Sequence, residues 1–192
     1  MTAQLKKGFT LIELLTAKQQ GGRNKGFTLI ELLIVMAILG VLAVVVLVAI
    51  NPVQQLARTR DTGRISTVLQ LGHAMEAYYT AHDGLYPTVV QWSASPSILV
   101  SSGEINVFPA LVANSVTSVC TTAAANGWCY GVSGTQNAFV LYSRLEALTN
   151  RTLGTCVSTT PAFTVYSSAA GRACIVCQAA EPTTAAPGTC VN

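Results

Sequence analysis

Lysine is missing from the chain after Lys25. All four lysines and Arg23 precede Phe27 and are opposed there only by Glu13, whereas from Phe27 onward six arginines face seven acids. The formal net charge of +3 therefore belongs to an N-terminal leader. The main body has no dense basic patch, which argues against a nucleic-acid reading based on overall charge. Charge of either sign is scarce, at 10% of residues against 51% hydrophobic, and that balance calls for a membrane segment. Histidine occurs only at His73 and His82, far upstream of Cys174-Ile-Val-Cys177. A zinc site wants a second such pair or spaced histidines, so this pair alone is a weak metal signal. The chain also lacks a Ser-His-Asp set, a glycine-rich phosphate loop and a convincing metal cluster. The expectation is a non-enzyme with no cofactor.

The six cysteines, Cys120, Cys129, Cys156, Cys174, Cys177 and Cys190, all lie in the distal half. An even number confined to one region suggests disulfides formed in an oxidising compartment, with metal binding or a redox pair as the rival. Cys120 with Cys129 is the preferred local pair. Cys174 and Cys177 would then bond to Cys156 and Cys190 in either order.

Residues 32–50 read LLIVMAILGVLAVVVLVAI, an uncharged run long enough to span a bilayer as a helix. The basic residues before it place the N-terminus in the cytoplasm and the chain after Asn51 outside. A cleavable secretory signal would have a shorter apolar region followed by a small-x-small site, so a retained helix is expected. Pro52 should bend this helix, because proline removes a donor and clashes with the preceding turn. Beyond it Leu56, Ile65, Val68, Leu69, Met75 and Tyr79 recur near helical spacing. Arg58, Arg60, Asp61, Arg64, Gln70 and Glu76 fall between them, which predicts an amphipathic helix with one core face. Asp83-Gly84 and Pro87 mark its end.

Residues 87–127 read as loop with a short strand or helix. Trp128–Ser133 and Ala138–Glu146 alternate like strands, with Gly134–Asn137 between them to turn the chain. Ala162–Ser167 and Arg172–Gln178 form a second pair around Ala170-Gly171. The tail AAEPTTAAPGTCVN has no core-forming run, and Cys190 is placed to pin it. The fold expected is α+β: a long N-terminal helix packed on a small antiparallel sheet. The divisions are a basic leader at 1–26, an apolar helix at 27–51, an amphipathic helix at 52–84 and a β-rich domain at 85–192.

One nonamer, KGFTLIELL, occurs twice, at Lys7–Leu15 and Lys25–Leu33. Its second copy runs directly into the span and puts a carboxylate, Glu31, inside apolar sequence. Charged residues in such a place usually mark function. The stretch NKGFTLIELLIVMAILGVLAVVVLVAINP resembles the N-terminus of type IV pilins and pseudopilins over about thirty residues. The helix, the Tyr86-Pro87 after it and the distal cysteines are similar too. The resemblance implies a pilin-like fold, cleavage between Gly26 and Phe27 by prepilin peptidase, and N-methylation of the new Phe27 amine. It also implies that Glu31 pairs with the N-terminal amine of a neighbouring subunit during assembly. Electrostatics agrees, since each charge alone would be costly in a low-dielectric core. The first copy is followed by TAKQQGGRNK and cannot span a bilayer. The second copy is therefore the one expected to be processed. A 26-residue leader is longer than the short leaders common in type IVa pilins, a departure from the family pattern.

The partners implied are prepilin peptidase/N-methyltransferase, other copies of the chain and related pilins, the inner-membrane assembly machinery and, before assembly, the bilayer. The resulting expectation is a filament subunit anchored in the inner membrane and later displayed at the cell surface. A type II secretion pseudopilin is the nearest rival. A minor pilin acting as a DNA-uptake receptor or adhesin is the rival of another class, although beyond residue 83 the arginines are only Arg144, Arg151 and Arg172. The histidines are expected at the surface or its boundary, and Tyr78, Tyr79 and Tyr86 in packing. Arg58, Arg60 and Arg64 read as a solvated basic stripe. Asn150-Arg151-Thr152 matches the glycosylation sequon weakly.

Overall fold

The computed structural model describes residues 26–95, 97–110, 120 and 123–191. The chain divides into two compact units, Met1–Ala49 and Ile50–Asn192. In the first, helix α1 covers Leu29–Ile50, and none of its residues is buried. Its 22 residues make a rod about 33 Å long, close to the hydrocarbon thickness of a bilayer.

A second helix, α2, covers Pro52–Ala81. The expected bend at Pro52 is instead a break at Asn51, which stands in the left-handed region at φ 49°. A residue before proline is driven out of the right-handed helical region, and asparagine tolerates the left-handed one. Asn51 then caps α2: its side chain accepts from the Gln54 N–H at 3.4 Å. Pro52 sits in the first turn, where its missing donor costs nothing. At the other end Asp83 (φ 52°) and Gly84 (φ 73°) turn the chain away.

The buried stripe of α2 includes Ala57, Asp61, Arg64, Val68, Leu71, Met75 and Tyr78, in steps of three and four. This corrects the apolar face expected from sequence. Leu56 and Leu69 are 60% and 38% exposed, while Asp61 and Arg64 are buried in their stead. The reason is an ion network. Asp61 accepts from the backbone N–H of Glu146 (3.1 Å) and Ala147 (2.8 Å), and from Asn150 Nδ2 (2.8 Å). Arg64 donates to Asp61 at 2.7 Å and to Glu146 at 2.9 Å. Arg60 donates to both Glu146 oxygens, at 2.7 and 2.9 Å. That hydrogen bond holds the Arg60 guanidinium above its ordinary pKa. The solvated basic stripe is thus corrected: of its three members only Arg58 is exposed.

Two short helices follow, α3 (Val89–Ser93) and α4 (Ile98–Ser101). Thr88 and Gln91 start α3 with a reciprocal capping box. Six strands then form one antiparallel sheet in chain order: β1 (Ala123–Ala125), β2 (Trp128–Val132), β3 (Phe139–Leu145), β4 (Ala162–Ser167), β5 (Arg172–Cys177) and β6 (Cys190–Val191). A helical turn, α5 (Leu148–Arg151), connects β3 towards β4. Both expected hairpins are present, with Tyr130 opposite Leu141 in the first and Val165 opposite Cys174 in the second. The whole arrangement is α+β and fits a pilin-like fold.

Alternation along the strands sends side chains to two cores. On the helix side Trp128, Tyr130, Phe139, Leu141 and Tyr166 pack with Val68, Leu71, Met75 and Tyr78 of α2, and with Trp92 and Leu99 from α3 and α4. On the far side Cys129, Val140, Tyr142, Phe163, Val165 and Val176 form a second cluster. Of the three tyrosines expected in packing, Tyr78 and Tyr86 are buried, and Tyr79 stacks on Tyr86 at 4.5 Å. Burial, helped by a 2.8 Å hydrogen bond to Glu76, pushes the Tyr86 phenol well above its ordinary pKa. His73 and His82 are exposed, and His82 stacks on Tyr78 at 3.8 Å.

The helix comes close to the sheet at Gly72, where a Cβ would stand 2.4 Å from the Tyr166 ring. Gly72→Ala is therefore expected to destabilise the domain by about 1–3 kcal/mol, despite alanine's better helix propensity. Arg64→Met should cost about 3–5 kcal/mol, because it strands buried carboxylates, whereas Arg58→Met should change stability by less than about 0.5 kcal/mol. Urea unfolding of the detergent-solubilised protein, followed by near-ultraviolet circular dichroism, measures all three.

Candidate processing and assembly site

Gly26, Phe27 and Thr28 precede α1 in non-helical backbone. Phe27 is 84% exposed, and among the described residues a Cβ on Gly26 would meet nothing within 4 Å. Thr28 and Glu31 hold each other across the first helical turn. Glu31 Oε2 accepts from the Thr28 N–H at 2.9 Å and from the Thr28 hydroxyl at 2.7 Å. The Thr28 oxygen accepts in return from the Glu31 N–H at 3.3 Å. This is a reciprocal capping box, and the negative charge lies at the helix end that favours it.

The capping role escaped the sequence reading, although its signal was present. Thr28-Leu-Ile-Glu31 is a threonine with an acid three positions on, directly before an apolar run. The box carries the carboxylate on the turn next to the Phe27–Thr28 junction. A carboxylate has about four acceptor positions, so bonds to Thr28 leave capacity for an ammonium group. Gly8 and Glu13 of the first nonamer lie outside the described residues.

The remainder of α1 offers no polar group after Glu31 and no buried side. Phe27, Ile30, Leu33, Val41, Val44 and Val48 are each more than 60% exposed. Such a helix is at home in lipid or among other apolar helices.

All six cysteines are paired, as Cys120–Cys129, Cys156–Cys177 and Cys174–Cys190. The order left open by the sequence is thereby given. The two members of the Cys174–Cys177 pair point to opposite faces of β5, as residues three apart on a strand must, and so take different partners. Cys129 and Cys174 belong to or border the far-side core, while Cys190 fastens the two-residue edge strand β6 to β5. The tail also reaches the sheet through Glu181, which accepts from the Tyr142 hydroxyl at 2.7 Å. Asn150 of the sequon spends a side-chain donor on Asp61. Among the described residues no group of three or more His, Cys, Asp or Glu side chains is placed to hold a metal ion.

An exposed apolar helix with one capping carboxylate, carried before a disulfide-bonded domain, suggests a membrane-anchored protein. Residues 21–47 match the family described as the prokaryotic N-terminal methylation motif, the signature of type IV pilins and pseudopilins. The matched residues include the second nonamer, Lys25–Leu33, and begin after the first. Comparison with curated proteins and with solved structures finds no match. The motif implies processing by prepilin peptidase and assembly with other pilins.

Thiol titration of unreduced, denatured protein is expected to find no free thiol. Thermolysin, which cuts before Ile175 and Val176, should release separate fragments cross-linked as 156–177 and 174–190. A 174–177 or 156–190 cross-link would contradict this connectivity.

Proposed function

We propose that the chain is a subunit of a type IV pilus-like filament, made as a single-pass prepilin with its N-terminus in the cytoplasm. The observation that carries this reading is α1, apolar on every side and with no residue buried by its own chain. Its surface needs an apolar medium, and lipid and a bundle of like helices both supply one. One segment can then serve in turn as membrane anchor and as polymerisation core. Cleavage between Gly26 and Phe27 leaves the new, methylated amine one residue before Thr28. In the filament, Glu31 takes the amine of an adjacent subunit while keeping its cap on Thr28. The first nonamer leaves with the leader, because the basic and polar residues behind it would have no place in an apolar filament core.

The mature protein is expected to begin at methylated Phe27, which mass spectrometry of the N-terminal peptide from native material checks; a start at Phe9 would reject this processing. Glu31→Gln separates the two roles of Glu31, since glutamine retains the capping box and loses the charge. In cells lacking the wild-type gene, this variant should reach the membrane at normal abundance yet yield few sheared surface filaments. Glu13→Gln should assemble normally. Filaments at wild-type abundance from Glu31→Gln would rule out the ion pair.

A further inference from the structure

Outside α1, Val53, Leu56 and Leu148 are large apolar residues left 67%, 60% and 47% exposed. Hydrogen bonds bring the segments that carry them together. Val53 and Leu56 are one turn apart on α2. Leu148 opens α5, and its N–H donates to the side-chain oxygen of Gln54, next to Val53, at 3.1 Å. Asp61 holds the same turn through Ala147 and Asn150, so α5 is fixed against the first turns of α2.

The charges near this patch in sequence that are not buried are all positive. Neither residues 50–60 nor residues 147–161 include an acid, although the body from Phe27 onward has more acids than bases. Arg60 is engaged by Glu146, but Arg58 is exposed on α2. Arg151, at the end of α5, is half-buried and donates to the Ser158 carbonyl. Its partner there is a neutral carbonyl, and among the described residues it makes no ion pair. The acids nearest in sequence, Asp61 and Glu146, are buried in the ion network.

Chain length limits where this patch can stand. Val53 is three residues beyond Ile50, the last residue of α1, so it lies within about 11 Å of the end of the span. The headgroup layer on each side of the hydrocarbon is about 5–8 Å thick. We propose that Val53, Leu56 and Leu148, with Arg58 and Arg151, form a collar that seats the domain on the outer phospholipid surface of its own membrane. The apolar side chains enter the boundary between headgroups and acyl chains, and the two arginines meet lipid phosphates. The collar would set the posture of the domain before assembly, and leaving the membrane would require breaking these contacts. The proposal rests on the reading of α1 as a membrane anchor.

The test places a tryptophan reporter in the full-length protein, in vesicles of phosphatidylglycerol with brominated acyl chains. L148W reports on the collar. V90W is the control: Val90 is 77% exposed and follows α2 at the far end of that helix, which is about 45 Å long. Trp92 and Trp128 are buried in both variants and give a common background. Bromine is expected to quench the added emission of L148W about twofold and to leave that of V90W nearly unchanged, as insertion to interfacial depth requires. Replacing Arg58 and Arg151 by Gln in L148W, or using phosphatidylcholine vesicles, should weaken the quenching. Flotation with unquenched L148W overturns the collar alone. So does an L148W signal that follows the protein-to-lipid ratio without quenching, because a second copy would then cover the patch. Protein that fails to float with the vesicles overturns the anchor and the collar together.

Discussion

The Asp61 carboxylate decides how the globular unit is put together. It sits near the N-terminal end of the buried stripe of α2 and gathers two backbone N–H groups, the Asn150 amide and Arg64. Those backbone groups belong to the residues that leave β3, so one carboxylate sets both the end of the strand and its position along the helix. Apolar contact has no direction and would allow α2 to slide or turn on the sheet. Charges held out of water allow no such freedom, because each is costly without its partner. Two cations and two carboxylates balance here, and Glu146 closes the set by taking both Arg60 and Arg64.

With α2 fixed, the sheet must cover two faces. One receives the helix, with Gly72 letting it approach the Tyr166 ring. On the other, among the described residues, the disulfides and the tail take the place of a helix. Cys120–Cys129 and Cys174–Cys190 bracket the far-side core, and Glu181 holds the tail to Tyr142. The tail has too few apolar residues to pack by hydrophobicity alone, and covalent closure of its loop supplies what that surface cannot.

The first unit obeys a different constraint. Helix α1 satisfies its own backbone and starts with its own cap, yet buries nothing. Its side chains can be desolvated only by lipid or by other helices, so its function lies in what surrounds it. The domain, by contrast, carries its core and its cross-links within itself. The apolar helix is suited to an apolar medium, and the disulfides cross-link the sheet within its own domain.

Much of this was written in local sequence. The span, the nonamer ahead of it, the two hairpins and the helix stop at Asp83-Gly84 all follow from periodicity, turn residues and charge placement, which act between near neighbours. The capping box at Thr28 and Glu31 was equally local and could have been read from spacing. The even cysteine count announced disulfides, but the partners of Cys174 and Cys177 depended on which face of β5 each occupies. The core face of α2 misled for the same reason. By composition Arg64 belonged to water and Leu56 to the core; the folded chain reverses them, because Glu146 arrives from more than eighty residues away to pair with the arginine. Sequence alone settled which segment is apolar and which copy of the motif precedes it. Only the tertiary structure decided which charges are buried, since a charge goes inside only where distant parts of the chain bring its counter-charge to hydrogen-bonding distance.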